Sequence, residues 1–135
     1  MKKILLLITI AAIIIGCNTT KSIEKEVNNG NYDVAISDAL RKLSNNKSKK
    51  SKQASILLLK NAFSKAKDRD LNQISYLEKD ANPENLERIY GLFQKLNNRQ
   101  ERIKPILPLY YNDQEVKFNF TDFNVQIIKY KEETS

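Results

Sequence analysis

The stretch SKKSKQASILLLKNAFSKAKDRDLNQISYLEKD, Ser48–Asp80, decides the fold class. It holds no Gly and no Pro, and Ile56, Leu59, Phe63, Ala66, Ile74 and Leu77 recur at three- and four-residue steps. That is the period of one face of an α-helix. Leu58, Ala62, Leu71 and Tyr76 widen the stripe, which makes Tyr76 a core side chain. Asp68-Arg69-Asp70 interrupts it. An unbroken helix over the tract would reach about 48 Å at 1.5 Å per residue, so a break or bend is expected at those charges.

Helical signals continue on both sides. Upstream, Ile23 and Val27 lie four apart and Asn29-Gly30 is a stop, with Gly30 able to take the left-handed conformation that ends a helix. Asn31 or Asp33 can cap a second helix with Ala35, Ile36, Ala39, Leu40 and Leu43 on one face, closed by Asn45-Asn46. Downstream, Asn82-Pro83-Glu84 is a helix start, with a capping amide, Pro at the first helical position and acid in the first turn. Leu86, Ile89, Tyr90, Phe93 and Leu96 then share a face up to Asn97-Asn98, and a short helix over Arg99–Lys104 follows, ended by Pro105 and Pro108. Beyond Tyr110-Tyr111 the period changes to two: Val116, Phe118 and Phe120 alternate with polar residues, as in a half-buried extended segment, and no second strand is evident to pair with it. Thr121 or Asp122 can cap a last helix with Phe123, Ile127 and Tyr130 on one face.

Gly30-Asn-Tyr32-Asp-Val-Ala35 resembles the second-helix start of a tetratricopeptide (TPR) repeat, G-x-Y-x-x-A, although the alanine that the pattern places later falls at Lys42. The resemblance implies that Tyr32 wedges between paired helices and Ala35 lets them approach. The expected fold is all-α: a short TPR-like stack of antiparallel helical hairpins over residues 23–109, then an extended segment and terminal helix over 110–135. Such units bury their faces only against neighbours, and arrays need about three repeats for stability. With roughly two hairpins, this chain is expected to complete its core by homo-oligomerising or by binding another protein.

The first twenty residues speak of location. Lys2-Lys3 precede an apolar run from Ile4 to Ile15, which ends at Gly16 and the sole cysteine, Cys17. This is the layout of a secretory signal, and a dozen apolar residues are too few to span about 30 Å of hydrocarbon, which takes about 20. Ile14-Ile15-Gly16-Cys17 resembles the lipobox of bacterial lipoproteins, with isoleucines where a leucine and a small residue are commoner. The resemblance implies a diacylglyceryl group on the Cys17 sulfur, cleavage after Gly16 (a signal peptide of residues 1–16), and acylation of the new amino terminus. Residues 17–22 would form the lipidated tether, with acyl chains holding the protein in the membrane. Asn18-Thr-Thr-Lys21 carries no acidic run of the kind linked with surface display in some Bacteroidota, so the periplasmic face of the outer membrane is expected. Asn82–Tyr90 and Arg99–Leu109 are also similar to stretches of uncharacterised helical-repeat lipoproteins of that phylum, a resemblance that implies no activity.

Composition narrows the chemistry. The chain has no His and no Trp, and acylation would occupy its only Cys, which excludes imidazole and thiolate metal sites and His-dependent triads. No cofactor and no catalytic residue are expected. Asp68/Asp70 and Glu84/Glu87 lie close enough in sequence to suggest acid–base pairs, but a capped bend and first-turn dipole compensation account for them. The net charge of +7 falls to near +5 once Lys2 and Lys3 are removed, and it is concentrated: Arg41 to Lys67 holds nine basic residues and no acid. Lys47, Lys49, Lys50 and Lys52 stand at a helix start, where the macrodipole disfavours cations. Either an anion (lipid headgroup, polyanionic glycan or acidic protein) answers them, or they pair with Asp68, Asp70, Glu78, Asp80, Glu84 and Glu87. Nucleic acid is not an expected partner, since the only aromatic within the tract is Phe63, which belongs to the apolar stripe. Tyr76 and Tyr90 are expected in the core. Tyr110-Tyr111, beside two prolines, are the candidate protein contact.

Overall fold

The computed structural model describes residues 20–135; the lipobox and signal segment, with Gly16 and Cys17, lie outside the described residues. The fold is all-α with a short extended segment near the C-terminus. Residues 20–28 are helical (α1), followed by α2 (Tyr32–Asn45), α3 (Gln53–Asp80), α4 (Leu86–Ile103) and α5 (Asn124–Glu133). A two-residue antiparallel pair, β1 (Tyr110–Tyr111) and β2 (Gln114–Glu115), lies between α4 and α5. The described residues divide into two compact units. Among the described residues, one comprises residues 20–62 together with Pro108–Val116, the other Phe63–Leu107 with Lys117–Ser135.

In the first unit, α1 and α2 form a hairpin at Gly30. The Gly30 N–H donates to Val27 O and the Asn31 N–H to Glu26 O, the two bonds of a Schellman stop, with Gly30 at φ +80°. Asn31 precedes α2, but its side chain makes no cap bond; its amide donates to Glu26 Oε2 at 2.8 Å. Ala35, Ile36, Ala39 and Leu43 are buried on α2 and Leu40 is half-buried, the face that the spacing predicted. Ile23, Val27, Ile56, Leu59 and Ala62 are buried in the same unit.

The second unit closes around α3, α4 and α5. Ile74, Leu77, Ile89, Leu92, Phe93, Leu96, Phe123 and Tyr130 form one buried cluster. Phe93 lies 5.6 Å from the Tyr130 ring, nearly parallel to it, and 5.8 Å from Phe123. Residues 117–123 run without regular structure. Phe118 and Phe120 each meet the Phe63 ring edge-on at 5.8 Å, which gives that helix position an aromatic lid.

Four expectations are corrected. First, α3 is continuous through Asp68-Arg69-Asp70, because Asp70 is buried with charged partners instead of breaking the turn. Second, α4 runs through Asn97-Asn98 to Ile103 without a separate Arg99–Lys104 helix; Arg99, Gln100 and Ile103 extend the buried face of Ile89, Leu92, Phe93 and Leu96 in register. Third, Tyr110-Tyr111 and Gln114-Glu115 form a short hairpin that the spacing did not suggest, while Val116, Phe118 and Phe120 join no strand, as expected. Finally, Tyr76 is 72% exposed and belongs to no core.

Candidate functional site

The first unit gathers most of the candidate binding residues at one end. Asn45-Asn46 stops α2, and Asn46 leaves the helical region at φ −163°, ψ 89°. Ser48 Oγ bonds Asn46 Oδ1 at 2.9 Å, and a single 3-10 turn, Lys50–Lys52, leads into α3. Nearby, the Leu109 carbonyl accepts from Val116 N–H at 2.8 Å and anchors the β1–β2 hairpin. Its two turn residues, Asn112 (φ 49°) and Asp113 (φ 63°), both take the left-handed backbone that a tight two-residue turn requires. Lys47 joins loop and hairpin, donating from Nζ to the Pro108 carbonyl at 3.0 Å. Between them lies a cleft of about 540 Å³ lined by Lys47, Ser48, Gln53, Pro108, Leu109, Tyr110 and Asp113.

The structure therefore brings Lys47 and Tyr110 together, two residues that sequence alone treated as separate candidates. Tyr110 is half-exposed at 50% and Tyr111 half-buried. Lys49 and Lys50 are exposed and Lys52 half-buried. Lys49, Lys50 and Lys52 have no ion pair among the described residues, whereas Arg41 pairs with Asp38 at 2.7 Å. At the far end of the basic tract, Lys67 donates to Asn119 O and Thr121 Oγ1 at 2.9 and 2.8 Å, a structural role.

The second unit holds the buried polar groups. Asp70 Oδ2 meets Arg99 Nη1 at 2.6 Å with both side chains about 97% buried or more, and Asp70 Oδ1 accepts from Arg69 Nε at 2.9 Å. Next to Arg99, the Gln100 amide clamps the Thr121 backbone through two 2.8 Å bonds, one to its carbonyl and one from its N–H. Sequence reading missed Arg99 and Gln100 as interior groups, although their spacing from Ile89 and Leu96 continues the apolar register. Asp68 is exposed, so the Asp68/Asp70 pair does not converge. Glu84 and Glu87 are exposed around the start of α4, where Asn82 Oδ1 accepts from Glu84 N–H at 3.1 Å.

A second cleft, about 410 Å³, lies in this unit among Leu77, Glu78, Pro83, Leu86, Lys129, Tyr130 and Glu133. The Tyr130 hydroxyl donates to Glu78 Oε1 at 2.5 Å. Burial, the hydrogen bond and the carboxylate charges push the Tyr130 phenol up to about 12, so it keeps its proton at neutral pH. A protonated phenol held by a carboxylate ties α5 to α3 and supplies no base. Among the described residues no cluster of His, Cys, Asp and Glu is arranged to hold a metal, and no helix is long and apolar enough to cross a membrane.

No family model, no curated protein and no solved structure matches this chain.

Proposed function

We propose that this chain is a lipid-anchored envelope protein on the periplasmic face of the outer membrane, whose helical body serves as a non-catalytic interaction scaffold. The observation that carries the reading is Ile14-Ile15-Gly16-Cys17 behind Lys2-Lys3 and an apolar run, with helix already formed at Thr20, three residues on. A diacylated or triacylated Cys17 would hold the protein stably, which a single chain does not. The scaffold half of the reading is supported by α5, where Val125 and Ile128 stand three residues apart on one side of the helix at 75% and 57% exposure. The partner would be another envelope protein or a second copy of this chain.

Two measurements test the two halves. Mass spectrometry of protein extracted from membranes is expected to find Cys17 as the amino-terminal, acylated residue. A photo-crosslinker placed at Val125 or Ile128 in living cells is expected to give one discrete adduct that Val125→Glu with Ile128→Glu abolishes. Adduct formation that is equally strong from exposed Lys95 would remove α5 as the contact.

A further inference from the structure

Resting on the anchored reading above, we infer that the end of the first unit carrying Lys49, Lys50, Lys52 and Tyr110 lies against the anionic phospholipid headgroups of the membrane that holds Cys17. The hairpin geometry supplies the argument. Because α1 and α2 run antiparallel, the last turn of α2 returns to the start of the described chain, and Lys42 Nζ donates to Thr20 Oγ1 at 2.5 Å. The loop after Asn45 therefore lies at the same end of the unit as Thr20. Cys17 precedes Thr20 by three residues, a reach of about 10 Å at most. An acyl anchor on that sulfur would bring this end of the unit to the bilayer.

The chemistry at this end suits such a surface. The first turn of α3 carries no acid, and Lys49, Lys50 and Lys52 stand just before it without an ion pair among the described residues. Charges of the wrong sign for the helix dipole persist there, and phosphate would relieve both their mutual repulsion and their conflict with the dipole. The hairpin sets the half-exposed Tyr110 in one cleft with Lys47 and Ser48, at the start of the loop that carries these lysines, and an amphipathic ring with a polar tip is suited to the headgroup layer. Asp113 is the one acid among the described residues that line the adjoining cleft, and Lys47 lines it as well. A glycan or an acidic protein would also answer lysines, but neither explains why they sit where the anchor leaves the fold.

The test uses the full processed protein, extracted from membranes and inserted from detergent into preformed vesicles of phosphatidylcholine alone or with phosphatidylglycerol. A membrane-impermeant amine reagent labels lysines, and mass spectrometry reads each site. With phosphatidylglycerol, Lys49, Lys50 and Lys52 should label about fivefold more slowly, the effect expected for a lysine held at an anionic surface. Lys25 and Lys60, exposed in the same unit but farther along their helices, should not change. Salt at 1 M, where the Debye length is about 3 Å, should erase the difference. Equal labelling of the loop in both vesicles overturns the inference while leaving the anchor standing. So does equal protection by a soluble polyanionic glycan added to phosphatidylcholine vesicles. Intact mass of the same sample reads acylation separately, and an unmodified Cys17 removes the anchor and this inference with it.

Discussion

The two units treat charge in opposite ways. In the second, Asp70 and Arg99 are withdrawn from water and matched at 2.6 Å, with Arg69 on the other carboxylate oxygen. In the first, the exposed Lys49 and Lys50 and the half-buried Lys52 have no ion pair among the described residues and stand ahead of a helix whose dipole they oppose. Charge that a fold needs for itself is buried and paired. The lysines ahead of α3 gain no such match among the described residues. The same contrast extends to neutral groups: Gln100 is fully used on Thr121, whereas the Ser55 hydroxyl is buried without a partner among the described residues.

The sharpest way to break the comparison is to orphan one buried charge. Asp70→Ala removes the carboxylate matched to the buried Arg99 and should cost about 3–5 kcal/mol, enough to unfold a marginal domain at room temperature. Urea denaturation checks it, and a loss under 1 kcal/mol would mean that water reaches the pair. Triple substitution of Lys49, Lys50 and Lys52 by Gln should in contrast leave stability unchanged or raise it by about 1 kcal/mol, since cations near a helix N-terminus are unfavourable. Gly30→Ala meets no steric obstacle around its Cβ, so its cost should be the backbone strain at φ +80° alone, about 1–2 kcal/mol in thermal melts.

Tyr130 adds a pH dependence specific to the second unit. Its folded pKa of about 12 lies above the ordinary value of 10, so the protonated phenol is favoured by folding. That contribution is complete below pH 10 and is lost as pH rises from 10 toward 12. Wild-type melting temperature should fall more steeply over that window than that of Tyr130→Phe, which lacks the ionisable group. The smallest effect is expected at Ser55→Ala, which removes an unsatisfied buried hydroxyl and should be neutral or stabilising by up to about 1 kcal/mol. A clear destabilisation would reveal a partner for that hydroxyl.

The helices and their buried faces were legible because their information is local: Ala35, Ile36, Ala39 and Leu43 mark α2 by spacing alone, and Asn82-Pro83 marks the approach to α4. The errors fell where a side chain's meaning depends on a distant one. Asp68-Arg69-Asp70 reads as an interruption until Arg99, on another helix, makes Asp70 an interior residue. Asn97-Asn98 reads as a stop although Arg99, Gln100 and Ile103 keep the register, because polar residues were not expected on a buried face. Tyr76 shows the converse, an aromatic near the apolar stripe that still faces solvent. The hairpin had a local signal, Asn112-Asp113 in a two-residue turn, masked by strands only two residues long. At the candidate site the residue types were legible. That Lys47 and Tyr110 line the same cleft was not, since their proximity depends on how residues 108–116 return to the first unit.

Everything functional in this account turns on the sulfur of Cys17. The most direct measurement is the mass of the amino-terminal peptide from protein extracted, under native expression, from the membrane fraction. The expected peptide begins at Cys17 and carries a thioether-linked diacylglyceryl group. A free thiol in a chain that still begins at Met1 would contradict it.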